Sequence, residues 1–240
     1  MERRIQPTAD GSVTIAIPDA GITFHSLHGA IQESTHIFIE AAYRHLLATA
    51  APAGPVCILE MGFGTGLNAL LTLLEADSGR QQVEYSTVEA FPLEPAFLPQ
   101  LNYCIQLQQA AYQPLFEQLH TGAWEQPVPV SPYFRFTKYQ QTLEAFCRQA
   151  IAAAPAVDQP DADHRFHLVY FDAFAPISQP ELWTEDSFRQ LFLLMRPGGL
   201  LTTYCSKSIV RKAMQAAGFT IEKIPGPWGK REMVRASVPV

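Results

Sequence analysis

The sequence predicts an α/β fold, a mostly parallel sheet with helices on both faces, preceded by a small N-terminal β-hairpin and helix. Three observations predict it. Short apolar strands alternate with helical patterns from Pro55 onward, the signature of βαβ units. Three of those strands end in an acid: Glu60, Glu89 and Asp172. A glycine run, Gly62-Phe63-Gly64-Thr65-Gly66, joins the first strand to a helix.

Taken in order, Ser12–Ile17 and Ile22–His25 read as short strands around the turn chemistry of Pro18-Asp19-Ala20-Gly21. Ile39, Ala42, Tyr43 and Leu46 fall at helical spacing. Residues 1–50 thus form an extension packed on a main domain of residues 51–240. Val56–Glu60 and Val83–Val88 are buried strands, with a helix at Leu67–Glu75 between them. Pro95–Leu119 is helical or mixed. Val128–Thr137, interrupted by Pro129 and Pro132, is an edge strand or hairpin. Leu143–Ala153 is helical, Asp158–Asp163 an acidic loop and Phe166–Phe171 a third buried strand. Thr184 caps a helix whose first turn holds Glu185 and Asp186. Arg196-Pro197-Gly198-Gly199 ends it. Leu200–Tyr204 is a strand, Lys207–Ala217 a helix, and Phe219–Ile224 with Glu232–Val238 a closing pair of strands.

In a doubly wound sheet, ligands bind beyond the carboxyl ends of the strands. Glu60, Glu89 and Asp172 therefore share the ligand rim. Closely spaced glycines let backbone approach a ligand, and the following helix offers free N–H groups. The spacing is G-x-G-x-G with Leu67 next, so the dinucleotide fingerprint is incomplete. No Gly-Lys-Ser/Thr follows, which disfavours ATP hydrolysis, and no G-x-S-x-G elbow is present.

Composition narrows the field. With 48% hydrophobic and 17% charged residues in 240, the chain can bury a core and is not disordered. The net charge of −6 argues against a general nucleic-acid coat. Lys207–Arg235 is locally positive, with Lys207, Arg211, Lys212, Lys223, Lys230, Arg231 and Arg235 against Glu222 and Glu232. Cys57, Cys104, Cys147 and Cys205 form no C-x-x-C pair and read as buried thiols of a reducing compartment. The seven histidines show no metal-ligand spacing, so no metal is expected. Met1-Glu2-Arg3-Arg4 precedes no apolar leader, and no apolar run approaches the ~18 residues of a membrane span. The expectation is a soluble, cytoplasmic protein, with no membrane partner and a monomer by default.

The pattern E-x-G-x-G-x-G, with an acid 23 residues after Gly66, resembles that of class I methyltransferases using S-adenosyl-L-methionine (SAM), whose sheet is Rossmann-like and seven-stranded. Glu89 is then placed to accept hydrogen bonds from ribose hydroxyls. Asp172 precedes Ala173-Phe174-Ala175-Pro176, a rim position suited to amine methylation. A nucleophilic amine must be neutral, so a group must hold it and take its proton, and Asp172 can do either. Phe174 can wall the sulfonium or attract it through its ring, or belong to the core.

More specifically, the chain resembles the methyltransferase half of the bacterial tRNA wobble-uridine enzyme MnmC, and its stand-alone relatives lacking an oxidase, from about Phe24 to Ala236. The segments that carry the likeness are Phe24-His25-Ser26, Glu33-Ser34-Thr35-His36-Ile37-Phe38, Leu59 to Asn68, Glu89-Ala90-Phe91-Pro92-Leu93, Asp172-Ala173-Phe174-Ala175-Pro176 with Pro180-Glu181-Leu182-Trp183, and Gly229-Lys230-Arg231-Glu232-Met233. The resemblance implies methyl transfer from SAM to the exocyclic amine of 5-aminomethyl-(2-thio)uridine in the tRNA anticodon loop. It implies Glu60, Gly62, Phe63, Gly64, Gly66, Asn68, Glu89 and Phe91 about SAM, and Asp172 beside both SAM and the amine. Gln140, in Lys138-Tyr139-Gln140, stands where the family has an Asp acceptor for adenine. Trp183, Tyr204 and Trp228 are candidates to stack on an extruded base, or to lie in the core. Lys207, Arg211, Lys230 and Arg231 are candidates for phosphate contacts. Bifunctional members carry a second, FAD-dependent oxidase domain, for which 240 residues leave no space. No FAD is therefore expected, and a separate oxidase is a candidate partner. Other readings are a methyltransferase of a small amine or protein, an aminopropyl-transferring enzyme, and a non-catalytic SAM-binding partner of an oxidase.

Overall fold

The computed structural model describes residues 2–153 and 166–240. The expected acidic loop Asp158–Asp163 lies outside them.

The chain opens with a three-stranded antiparallel sheet, β1 (Arg4–Pro7), β2 (Val13–Ile17) and β3 (Ile22–Thr23). The expected hairpin is β2 and β3. Strand β1 adds to it although its short, mostly exposed sequence carries no alternating apolar pattern. A continuous helical run follows: α1 (Ala30–Ser34), a π-helical stretch Thr35–Arg44, and α2 (His45–Ala50). Its apolar face meets the sheet, with the Phe38 ring tilted against that of Tyr170 at 5.1 Å between centres.

Among the described residues the main sheet has eight strands. They are β4 (Val56–Met61), β5 (Val83–Val88), β6 (Val128–Ser131), β7 (Phe134–Tyr139), β8 (Phe166–Phe171), β9 (Met195–Thr203), β10 (Thr220–Pro225) and β11 (Glu232–Ser237). Their spatial order is β10-β11-β9-β8-β4-β5-β7-β6. The five strands from β9 to β7 are mutually parallel. The seven-stranded ladder from β10 to β7 matches the expected architecture. The eighth strand is the Pro-containing arm of the β6–β7 hairpin, which joins antiparallel at the edge where a missing N–H costs no ladder bond. Strand β9 begins at Met195 rather than Leu200. Arg196-Pro197-Gly198-Gly199 is absorbed where its register against β8 shifts, and Val238 accepts from the Gly198 amide.

The interleaved helices are α3 (Leu67–Gly79), α4 (Tyr103–Gln106), α5 (Gln113–Thr121), α6 (Leu143–Ala153), α7 (Glu185–Leu194) and α8 (Ser208–Ala216). Thr184 caps α7 by accepting the Ser187 amide. Because side chains alternate across a strand, Ile58 and Leu168 join a core on the face of α3, α5 and the N-terminal helices. Leu59 and Val169 join a second core under α6, α7 and α8.

Register positions the site. Met61 pairs with Val88 on one side and with Phe171 on the other. The next residues, Gly62, Glu89 and Asp172, leave the sheet together. From β4 the chain winds to β5 and β7 on one side and to β8 and β9 on the other. The crevice between β4 and β8 is thus the topological switch point, where such sheets bind ligands.

Candidate active site

The loop after β4 is held by left-handed backbone geometry that favours glycine. Gly62 has φ 92°, and a Cβ there would stand 2.9 Å from the Asp172 carbonyl oxygen. Gly66, at φ 74°, opens α3 with its carbonyl accepting from Leu70. Glu89 ties the rim to this loop. Gly64 N–H donates to its Oε2 at 3.1 Å and Phe91 N–H to its Oε1 at 2.8 Å. The Arg3 guanidinium donates to the Phe91 and Pro92 carbonyls at 3.0 and 2.9 Å, so the N-terminus straps the segment after Glu89.

Glu60 is fully buried beneath the loop. Burial pushes its carboxyl up to about 8, and the nearby Asp172 charge adds to this; Thr87, Asn68 and Tyr85 act the other way. Neither carboxylate oxygen meets hydrogen-bond geometry with a protein donor among the described residues. A buried acid whose neighbouring donors stand outside good hydrogen-bond geometry is costly, which marks Glu60 as a position suited to a cationic or N–H-bearing ligand.

Asp172 is half-buried at the end of β8. Burial pushes its carboxyl up to about 7. Donation from Asn68 and the charge of Lys230 draw it down, while Glu33 raises it. Asn68 Nδ2 donates to Asp172 Oδ2 at 2.8 Å. A cavity of about 200 Å³ opens beside Asp172, walled by Phe24, His25, Glu33, Phe174, Tyr204 and Lys230 among others. The rings of Phe24 and Phe174 meet edge to face at 5.2 Å. Lys230 Nζ lies 2.5 Å from Glu33 Oε1 and 4.0 Å from the Tyr204 ring centre. Tyr204 donates to the Ala173 carbonyl at 2.9 Å. His25 is buried and held down at about 4, so it is neutral near pH 7. A larger cavity of about 1140 Å³, lined by Cys57, Thr137 and Phe146 among others, lies away from the glycine loop and contains none of these residues.

The sequence-expected residues separate on this geometry. Glu60, the three glycines, Asn68, Glu89 and Asp172 gather at the switch point, with Phe174 and Tyr204 on the adjoining cavity. The Phe63 side chain instead packs into the core, 4.9 Å from His120 and 5.6 Å from Phe136, leaving its backbone to the loop. Trp183 is buried; its indole N–H donates to the Phe174 carbonyl at 2.8 Å, so it supports the rim and presents no ring to a base. Trp228 and Phe91 are 73% and 71% exposed. Gln140 is exposed beyond β7, its amide donating to Glu125. Lys138 is buried and donates to the Leu119 and His120 carbonyls at the end of α5, a C-terminal cap that complements the helix dipole.

The basic run also divides. Lys223 pairs with Glu232 at 2.9 Å and Arg235 with Glu222 at 2.7 Å. Lys230 is turned into the cavity rather than toward solvent phosphates. Lys207, Arg211, Lys212 and Arg231 make no ion pair among the described residues. Phe24 and Glu33, both at the cavity, carry no role in the sequence reading. The signal for Glu33 was an acid at the apolar start of a helix. Among the described residues no His, Cys, Asp and Glu cluster could hold a metal ion, and no helix is long and apolar enough to cross a membrane.

Comparison with known proteins gives a family. A family model described as S-adenosyl-L-methionine-dependent methyltransferase matches residues 111–239. Two similar curated proteins are named tRNA 5-methylaminomethyl-2-thiouridine biosynthesis bifunctional protein MnmC. That of Pseudomonas entomophila is 31% identical over 88% of this chain and 31% of its own length. That of Ralstonia nicotianae is 30% identical over 90% of this chain and 32% of its own length. The chain therefore spans about a third of the curated relatives it matches. The crystal structure of MnmC2 from Aquifex aeolicus matches the fold with a TM-score of 0.74 at 23% identity, covering 100% of this chain and 72% of that one.

Proposed function

The chain belongs to the S-adenosyl-L-methionine-dependent methyltransferase family, and from that premise we propose that it methylates the exocyclic amine of 5-aminomethyluridine, or its 2-thio form, at the tRNA wobble position. The product is the 5-methylaminomethyl nucleoside. The observation that carries this reading is Asp172, half-buried at the switch point, hydrogen-bonded by Asn68 and facing a cavity walled by Phe24, Phe174 and Tyr204. The names of the curated relatives, which print tRNA 5-methylaminomethyl-2-thiouridine biosynthesis, support this choice of acceptor.

The residues present fit SAM. Glu60 is a buried acid whose oxygens meet no close donor among the described residues, with Thr87, Asn68 and Tyr85 nearby, and it suits the ammonium of the amino-acid tail. Glu89 is an acid at the neighbouring strand end, suited to ribose hydroxyls. The loop from Gly62 to Gly66 admits close backbone approach. When bound, SAM supplies an electrophilic methyl group on a sulfonium. The chain's own groups do the rest. Asp172 holds the acceptor amine and takes its proton, and a carboxyl near 7 suits proton exchange at neutral pH. Asn68 fixes the carboxylate. Phe24 and Phe174 exclude water from the reacting nitrogen.

The partners in this reading are the tRNA anticodon loop, met by Lys207, Arg211, Lys212 and Arg231, and a separate FAD-dependent oxidase. The proposed setting is the cytoplasm. The test incubates the purified chain with SAM and tRNA from cells lacking this terminal methylation, then weighs the digested nucleosides. One added methyl on the aminomethyl nucleoside supports the reading; none, despite SAM binding, overturns it.

A further inference from the structure

Glu33 and Lys230 are far apart in sequence, on α1 and on the turn between β10 and β11, yet they meet at 2.5 Å inside the cavity beside Asp172. Glu33 is 8% exposed, and its second oxygen accepts the Ser26 amide at 2.7 Å. Lys230 is also seated over the Tyr204 ring at 4.0 Å. Lys230 is one-third exposed at its side chain while Glu33 is buried; burying the Glu33 carboxylate costs desolvation that its partner must offset. A pair walled into a reaction cavity therefore points to a task there.

The task follows from charge. An alkylamine arrives as an ammonium and cannot attack until it loses a proton. That proton passes to the Asp172 carboxylate: an N–H bond breaks and an O–H bond forms, leaving a neutral amine and a carboxylic acid. A fixed cation nearby favours loss of the ammonium proton and keeps Asp172 ionised before the transfer, while making that carboxylate a weaker base. A fixed anion does the reverse: it holds the ammonium charged and keeps Asp172 protonated. We propose that Lys230, anchored by Glu33 over the Tyr204 ring, is a positioning residue whose charge keeps the acceptor amine neutral and Asp172 ready to take its proton. This rests on the amine-methylating reading above.

The other groups facing Asp172 do not supply that charge. From β4, Glu60 is pushed up to about 8 by burial. From β5 and the end of β9, Tyr85 and Tyr204 are raised by burial and stay protonated. From α3, Asn68 is neutral, and His25, beside Glu33 and Lys230, is held neutral by burial. Among the charged groups acting on Asp172, Glu33 raises its carboxyl and Lys230, the smaller effect, lowers it, so Lys230 offsets part of what its own partner adds.

The test measures kcat/KM across the neutral pH range for the unaltered chain, Lys230→Met, Lys230→Arg and Glu33→Gln, using SAM and aminomethyluridine-containing tRNA. Lys230→Met should move the low-pH limb up by about one unit, and Lys230→Arg should restore it. Glu33→Gln should move it down. A loss of equal size at every pH, or limbs of Lys230→Met and Glu33→Gln moving the same way, overturns the inference. Thermal melting checks folding. If Lys230→Met does not fold, Glu33→Gln alone decides: a downward limb supports the inference and an unmoved one overturns it. An unaltered chain that fails to methylate this tRNA overturns the reading itself. Methylation with unmoved limbs overturns only the role of Lys230.

Discussion

Asn68 and Asp172, 104 residues apart, are joined by one hydrogen bond of 2.8 Å from the first turn of α3 to the end of β8. The bond spans the switch-point crevice and aims the carboxylate at the cavity. It also favours the charged form of Asp172 against the burial that raises it. Asn68→Ala should therefore raise the Asp172 carboxyl further, lower methyl transfer at neutral pH by about ten-fold, and give partial recovery at higher pH. A pH–rate profile checks this; a loss independent of pH contradicts it.

Glu89 accepts two backbone amides, from Gly64 and Phe91. It is the expected acceptor for ribose hydroxyls. Glu89→Ala should weaken SAM binding by about 2 kcal/mol, roughly thirty-fold in Kd. Calorimetric titration with SAM decides; an unchanged Kd removes Glu89 from the cofactor site.

Gly62→Ala adds a Cβ 2.9 Å from the Asp172 carbonyl at φ 92°. The backbone of β4 or β8 must shift. The variant should lose about 2–4 kcal/mol of stability in denaturant unfolding and its SAM affinity with it. Full stability and affinity would show that the rim tolerates a side chain there.

Lys138 titrates in the folded chain at about 8, lowered from 10.5 by burial. Between these values the unfolded chain binds a proton that the folded chain lacks, so the Lys138 contribution to stability grows with pH. Below about 8 the cost of the buried charge is present in full. The stability of the unaltered chain relative to Lys138→Met should rise by about 1–3 kcal/mol across that window. Using the difference between the two cancels the buried tyrosines and cysteines, which titrate in both. A flat difference contradicts the assignment.

Among the described residues Lys207, Arg211 and Arg231 make no ion pair, whereas Lys223 and Arg235 are paired with acids. Replacing each of the first three by Ala should reduce the salt dependence of tRNA affinity by about one unit of log–log slope per phosphate contact. Ala at Lys223 or Arg235 should leave that slope unchanged. Equal effects in both groups would remove the distinction.

What the sequence made legible was local. Strand and helix periods are set by neighbouring residues, so the alternation from Val56 onward was readable. So were the acids Glu60, Glu89 and Asp172, because strand ends in a parallel sheet share a rim. What it hid was long-range. Glu33 reaches the cavity only because α1 packs across the rim and meets Lys230, 197 positions away. Lys138 looks like an ordinary charged strand residue until the end of α5 arrives above it. Trp183 and Trp228 are the same residue type, yet one is 5% and the other 73% exposed. That difference depends on where each segment packs, Trp183 closing the short helical turn Pro180–Trp183 against the rim, and nothing in its neighbours reveals it.

The central claim is that Asp172 takes the proton of the acceptor amine. The most direct measurement compares the unaltered chain with Asp172→Asn for SAM affinity and for methyl transfer to aminomethyluridine in tRNA. The account expects SAM affinity within a few-fold and methyl transfer lower by about 10²–10⁴-fold. Methyl transfer kept at the unaltered rate, or lost only in step with SAM affinity, would contradict it.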